Sequence, residues 1–83
     1  MMNREKLRQK IQSILIDTLE ISENDLDFDI PLQELGLDSL GTVELITKVE
    51  SVFEIGLPSD ISKILKTGND IVYYLEKLQE DAD

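Results

Sequence analysis

Apolar residues recur at Leu7, Ile11, Ile14, Leu15 and Leu19, with basic and amide side chains between them. Steps of three and four residues put them on one side of an α-helix. The spacing predicts an amphipathic helix from about Asn3 to Leu19, with Asn3 as its N-cap. A second helix is predicted from Asp38 or Ser39 to about Glu54, ended by Gly56 and Pro58. At 100° per residue, Leu45, Ile46, Val49, Val52 and Phe53 fall within an arc of about 120°, the expected core face. A short helix is predicted over Ser59–Lys66. A last helix follows, with Thr67 as cap, Asp70 three residues on in the manner of a capping box, and a stripe of Ile71, Val72, Tyr74, Leu75 and Leu78. The tail Gln79–Asp83 is expected to fray.

Residues 20–38 connect the first two helices, punctuated by Pro31 and Gly36. Phe28, Ile30, Leu32, Leu35 and Leu37 are too apolar to leave in water, so this loop is expected to pack across the helices. Loops this long in compact domains are uncommon and often functional. No strand-like alternation and no internal repeat occur. The pattern predicts an all-α fold: a small acidic bundle of three main helices plus one short helix, forming one domain over 1–83 with an ordered core of about 4–78.

Composition narrows the chemistry. The 83 residues include 8 Lys+Arg, 18 Asp+Glu and no His or Cys, for a net charge of −10. Disulfides, Cys/His zinc sites and a histidine base are excluded. The chain is too small for a deep, enclosed active site, and an autonomous enzyme is not expected. No apolar run is long enough to span a membrane. Met1-Met2-Asn3-Arg4-Glu5-Lys6 lacks the apolar centre of a signal peptide, so a cytoplasmic location is expected.

Charge is uneven along the chain. Arg4, Lys6, Arg8 and Lys10 crowd the start, where the helix macrodipole favours acids. The acidic remainder repels nucleic acid and favours basic partners. It also suits a soluble monomer.

Three places invite a functional reading. Asp25-x-Asp27-x-Asp29 opens like an EF-hand loop, but Ile30 and Gly36 stand where that loop needs Gly and Glu, so an EF-hand is rejected and no metal site is assigned. The outward side of the second helix carries Leu40, Val43, Glu44, Thr47, Glu50, Ser51 and Glu54. It reads either as a docking surface with an apolar centre and acidic rim, or as ordinary surface with Leu40 tucked under the preceding loop. Ser39 is either a plain first helical residue behind an Asp38 cap, or a reachable hydroxyl beside N–H groups that suit a phosphate ester.

Leu35-Gly36-Leu37-Asp38-Ser39-Leu40 resembles the signature of acyl carrier proteins. Thr42-Val43-Glu44-Leu45 and Phe53-Glu54-Ile55-Gly56-Leu57-Pro58 resemble the same family, as does the spacing from Pro58 to Thr67 and on to Tyr74-Leu75. The similarity covers roughly residues 4–78. It implies that Ser39, flanked by Asp38 and Leu40, carries 4′-phosphopantetheine donated by coenzyme A. A phosphopantetheinyl transferase (holo-ACP synthase) makes that transfer. The arm's thiol then holds acyl groups as thioesters for fatty-acid or related enzymes with basic docking surfaces. Partner docking falls to Leu40, Val43, Glu44, Thr47, Glu50 and Glu54.

In the family, long acyl chains can fold back between the helices. Ile46, Phe53, Ile61, Ile64 and Leu65 are the candidate lining here, and apolar stripes at this spacing are also ordinary core. Gly41, Thr47, Lys48 and Ser51 depart from the acidic or apolar residues common at those positions. Gly41-Thr42-Val43-Glu44-Leu45 is also similar to D-alanyl carriers, so an aminoacyl or peptidyl carrier is the alternative. An unmodified acidic interaction bundle is the third reading.

Glu20, Glu23, Asp25, Asp27, Asp29 and Glu34 share the loop with no basic residue. Raising salt from about 0.01 to 0.15 M shortens the screening length from roughly 30 to 8 Å. The melting temperature is expected to rise over that range. A fall would show that attractive ion pairs outweigh this repulsion.

Overall fold

The computed structural model describes residues 3–81. Helix α1 spans Arg4–Leu19, and the Asn3 side chain accepts the Lys6 N–H at 2.8 Å, the N-cap read from the sequence. Helix α2 spans Ser39–Phe53. The Asp38 carboxylate accepts the Gly41 N–H at 2.7 Å, and the Thr42 hydroxyl donates to the Asp38 carbonyl at 2.8 Å. Helix α3 spans Gly68–Asp81. Its start is a reciprocal capping box built with Asp: the Thr67 hydroxyl accepts the Asp70 N–H at 3.1 Å, and the Asp70 carboxylate accepts the Thr67 N–H at 3.0 Å.

Helix α1 packs against both α2 and α3. Leu7, Ile11, Ile14 and Leu15 are buried from α1, Leu45 and Val49 from α2, and Ile71, Val72 and Leu75 from α3. Each fully buried aliphatic side chain contributes roughly 1.5–3 kcal/mol by leaving water. Two of the bases that crowd the start of α1 find partners on α3 or in the loop. Arg4 pairs with Glu76 at 3.7 Å. Arg8 lies 4.2 Å over the Phe28 ring and donates to the Asn69 side chain at 3.2 Å.

The long loop lies across this bundle. Leu32 is only 1% exposed. Its N–H donates to the Lys66 carbonyl at 2.8 Å, and its carbonyl accepts from Leu35 and Leu37 at 3.1 and 3.0 Å. An isolated bridge between Pro31 and Thr67 runs beside it, with no strand among the described residues. The Phe28 carbonyl accepts the Asn69 N–H at 3.1 Å, holding the loop to the start of α3.

Five details depart from the sequence reading. The helix expected over Ser59–Lys66 is a 3₁₀ turn of Ile61–Lys63. Its backbone is drawn elsewhere: the Lys66 carbonyl goes to Leu32 and the Lys66 N–H to Asp70 at 3.1 Å. Helix α2 ends where expected, after Phe53, but the left-handed residue that stops it is Glu54, at φ 54°, and not Gly56. The Glu50 carbonyl accepts the Ile55 N–H there, and its carboxylate accepts the Leu57 N–H at 2.9 Å. Val52 is 44% exposed, because it stands at the edge of the arc, about 60° from Val49. Ile30 is also exposed, turned outward by a tight turn in which its N–H reaches the Asp27 carbonyl. Finally, α3 continues through Asp81 rather than fraying from Gln79. Leu78 and Gln79 line a small cavity together with Phe53 and Ile55, and Lys77 pairs with Glu80 at 3.6 Å. The remainder of the expected frayed tail, Ala82 and Asp83, lies outside the described residues.

Gly68 is buried where α3 meets the loop. A Cβ there would stand 2.9 Å from the Phe28 ring and 3.3 Å from the Phe28 Cα. Gly68→Ala is expected to lower stability by about 1–3 kcal/mol in urea titration, despite alanine's better helix propensity. An unchanged midpoint would contradict the close packing of loop on helix. Asp38→Ala should cost about 1 kcal/mol through loss of the α2 cap, and Asp38→Asn should restore most of it. Equal losses in both variants would assign the effect to the charge instead.

Candidate functional site

The loop delivers the chain to α2 through Gly36, whose φ of +109° an ordinary side chain adopts only with strain. Leu37, half-buried, follows, then the Asp38 cap and Ser39. Gly41 lets this entry close up, since a Cβ there would lie 3.0 Å from the Leu37 side chain and 3.2 Å from the Asp38 carboxylate. The sequence reading treated Gly41 only as a lost acidic position; the geometry gives it a packing role.

Ser39 is exposed, and its hydroxyl makes no hydrogen bond to any described residue. The capping bonds of Asp38 reach Gly41 and Thr42, which leaves the N–H groups of Ser39 and Leu40 without protein partners. A hydroxyl free of internal bonds, next to open N–H groups, suits a covalent ester bearing an anion.

Beside Ser39 a cleft of about 500 Å³ opens between α2, the loop and the 3₁₀ turn. Leu32, Leu37, Val43, Leu45, Ile46 and Leu65 supply apolar lining, and Ser39, Thr42, Ser62, Lys63 and Lys66 supply polar lining, with Pro31 and Gln33 beside them. Of the five lining candidates read from the sequence, Ile46 and Leu65 are there. Ile61 is buried in the core, and Ile64 is 56% exposed. Phe53 borders a separate cavity of about 150 Å³ with Ile55, Leu75 and Leu78. Helical spacing identified apolar stripes, but which stripe faces the loop depends on the Leu32–Lys66 contact, which has no local signature.

On the outer face of α2, Leu40 is 75% and Val43 63% exposed, so Leu40 is not covered by the preceding loop. Glu44, Thr47 and Glu54 are exposed too. Glu50 stands apart from them, half-buried with its carboxylate on the Leu57 N–H. Lys48, the one base on α2, is paired with Asp17 of α1.

The acidic loop is tied up internally. Asp25 accepts from the Ser22 hydroxyl, Asp27 from the Asp29 N–H at 2.8 Å, and Asp29 from the Asn69 side chain. Among the described residues no group of three potential ligands could hold a metal ion. No helix among them is long and apolar enough to cross a membrane.

Residues 9–71 match the family described as a phosphopantetheine attachment site. An acyl carrier protein of Amoebophilus asiaticus is 38% identical over 73 residues, 87% of this chain and 91% of the relative. One of Akkermansia muciniphila is 34% identical over 79 residues, 94% and 99% of the two chains. One of Prochlorococcus marinus is 34% identical over 76 residues, 90% and 95%. Carriers of this kind present cargo and catalyse nothing themselves. With its three helices, its long packed loop and a match running through all of them, the chain belongs to the acyl carrier protein family, whose prosthetic group is 4′-phosphopantetheine.

Proposed function

We propose that Ser39 is the residue that carries the 4′-phosphopantetheine arm. The observation that carries this reading is the Ser39 hydroxyl itself: exposed, free of internal hydrogen bonds and opening on the apolar cleft. A phosphopantetheinyl transferase would present coenzyme A. The Ser39 oxygen then bonds to the phosphorus that bears the pantetheine, adenosine 3′,5′-bisphosphate leaves, and the serine proton is lost. The arm supplies a thiol that holds an acyl group as a thioester. The protein's own part is to fix the attachment point, to shelter apolar groups between α2 and the loop, and to present α2 to partners.

The tether raises the local concentration of cargo at a docked enzyme without requiring tight docking. Leu40 and Val43 would give such a partner an apolar contact, with Glu44, Thr47 and Glu54 around it. Acids at a rim act on the rate of encounter more than on lifetime. Glu50 belongs to this face by position, but its carboxylate serves the fold. This reading pairs the chain with basic synthase surfaces, as a monomer in the cytoplasm.

Intact-mass spectrometry tests the attachment. The unmodified chain and its Ser39→Ala variant would be incubated with coenzyme A, magnesium and a permissive transferase. The parent alone should gain one phosphopantetheine; no gain on folded parent, or equal gain on the variant, would remove Ser39 from the proposal. Docking is tested by Glu44→Lys on the loaded carrier. Transfer to an acyl-accepting enzyme should slow by about 3–10-fold in kcat/KM at low salt. Stability should change by no more than about 0.5 kcal/mol. Unchanged transfer would place docking on another face.

A further inference from the structure

Outside the first ten residues the chain has four basic side chains, Lys48, Lys63, Lys66 and Lys77. Lys48 is paired with Asp17, and Lys77 with Glu80 while lying over the Tyr73 ring. Lys63 and Lys66 form no ion pair among the described residues. Both are exposed, and both line the cleft that Ser39 lines. Two uncompensated cations thus border one apolar cleft of a chain with net charge −10, although eighteen acids are available to pair with them.

Their backbones explain why they stay there. The Lys66 carbonyl is held by Leu32 and its N–H by Asp70, while the Lys63 N–H is held by the Asp60 carbonyl. The 3₁₀ turn thus fixes the side-chain origin of Lys63 at the cleft, and the bonds to Leu32 and Asp70 fix that of Lys66. Both lysines line this cleft of about 500 Å³, so a guest held within it lies beside their long, flexible side chains. Apolar walls beside a cation pair suit a guest that is part hydrocarbon and part anion.

We propose that Lys63 and Lys66 form an anion-holding rim of the Ser39 cleft. The anion is one that the arm brings with it: its own phosphodiester, or a carboxylate at the far end of the acyl cargo. The inference rests on Ser39 as the attachment residue. Where the anion is the cargo's carboxylate the consequence is selectivity, because such a chain would gain an ion pair that a plain alkyl chain of equal length lacks; where it is the phosphodiester, every load gains alike.

The test compares the parent, the Lys63→Gln/Lys66→Gln double variant and Lys77→Gln as a control away from the cleft. Each is prepared unmodified, with the bare arm, with a six-carbon alkyl acyl group, and with a six-carbon acyl group ending in a carboxylate. Intact mass verifies the load and its absence in Ser39→Ala chains. Two readouts follow: the melting temperature at low salt, and the NMR shifts of the lysine ε-methylene groups.

The parent should melt about 2–4 °C higher when the relevant anion is present, with Lys63 and Lys66 signals moving and Lys77 still. The double variant should lose that gain, and Lys77→Gln should keep it. Loss already with the bare arm identifies the phosphodiester; loss only with the carboxylate-tipped cargo identifies the carboxylate. Equal gains in parent and double variant under every load, or no gain and no lysine shift in the parent, would overturn the rim. A chain that gains no mass at Ser39 overturns the attachment reading, and the rim with it, by a separate measurement.

Discussion

The burial of Leu32 is the contact on which the rest of the arrangement depends. One aliphatic side chain in the core, and one N–H on the Lys66 carbonyl at 2.8 Å, convert a long loop into a fixed strut. The same backbone carbonyl of Leu32 gathers the N–H groups of Leu35 and Leu37, so the chain reaches Asp38 along a single path. Together with the Phe28–Asn69 bond, that anchor fixes the path by which the loop reaches Ser39. The strut also helps to form the cleft, since Leu32 and Leu37 line it together with Ile46 and Leu65.

What was legible in the sequence follows from this division between local and distant contacts. The caps at Asn3, Asp38 and Thr67 act over three residues, and each formed as read. The core stripes of α1 and α3 have one period and one buried side, so spacing alone identifies them. The segment after Pro58 reads as a helix locally, but Lys66 gives its backbone to Leu32 and Asp70, which lie 34 residues before and four residues after it. No local pattern announces that exchange. The same holds for Glu50, a surface acid by angle that instead closes the turn after α2, and for Ile64, which left the expected lining once the helix around it shrank to a single turn.

Charge in this molecule is arranged rather than merely abundant. The basic residues of α1 that oppose its macrodipole are partly taken up by Glu76 and by the Phe28 ring, and Lys48 ties α1 to α2 through Asp17. Each of these pairs joins an exposed side chain to a half-buried one at the surface and is worth about 1 kcal/mol, so they orient neighbours more than they hold the fold together. The outer face of α2 is left acidic around Leu40 and Val43, while the cleft beside Ser39 borders Lys63 and Lys66, which form no ion pair among the described residues. The two sides of α2 thus differ in their electrostatics, and Ser39 stands where they meet.

If the loop is a strut of the core, its central amide must share the core's stability. Hydrogen exchange of the Leu32 N–H, compared with the amides of Ile11 and Leu15 in α1, measures this directly. The account predicts that Leu32 exchanges only through global opening, with protection within roughly tenfold of the α1 amides. Exchange faster by roughly a hundredfold or more, with α1 still protected, would show a loop that opens on its own and would contradict the claim that Leu32 holds the site in place.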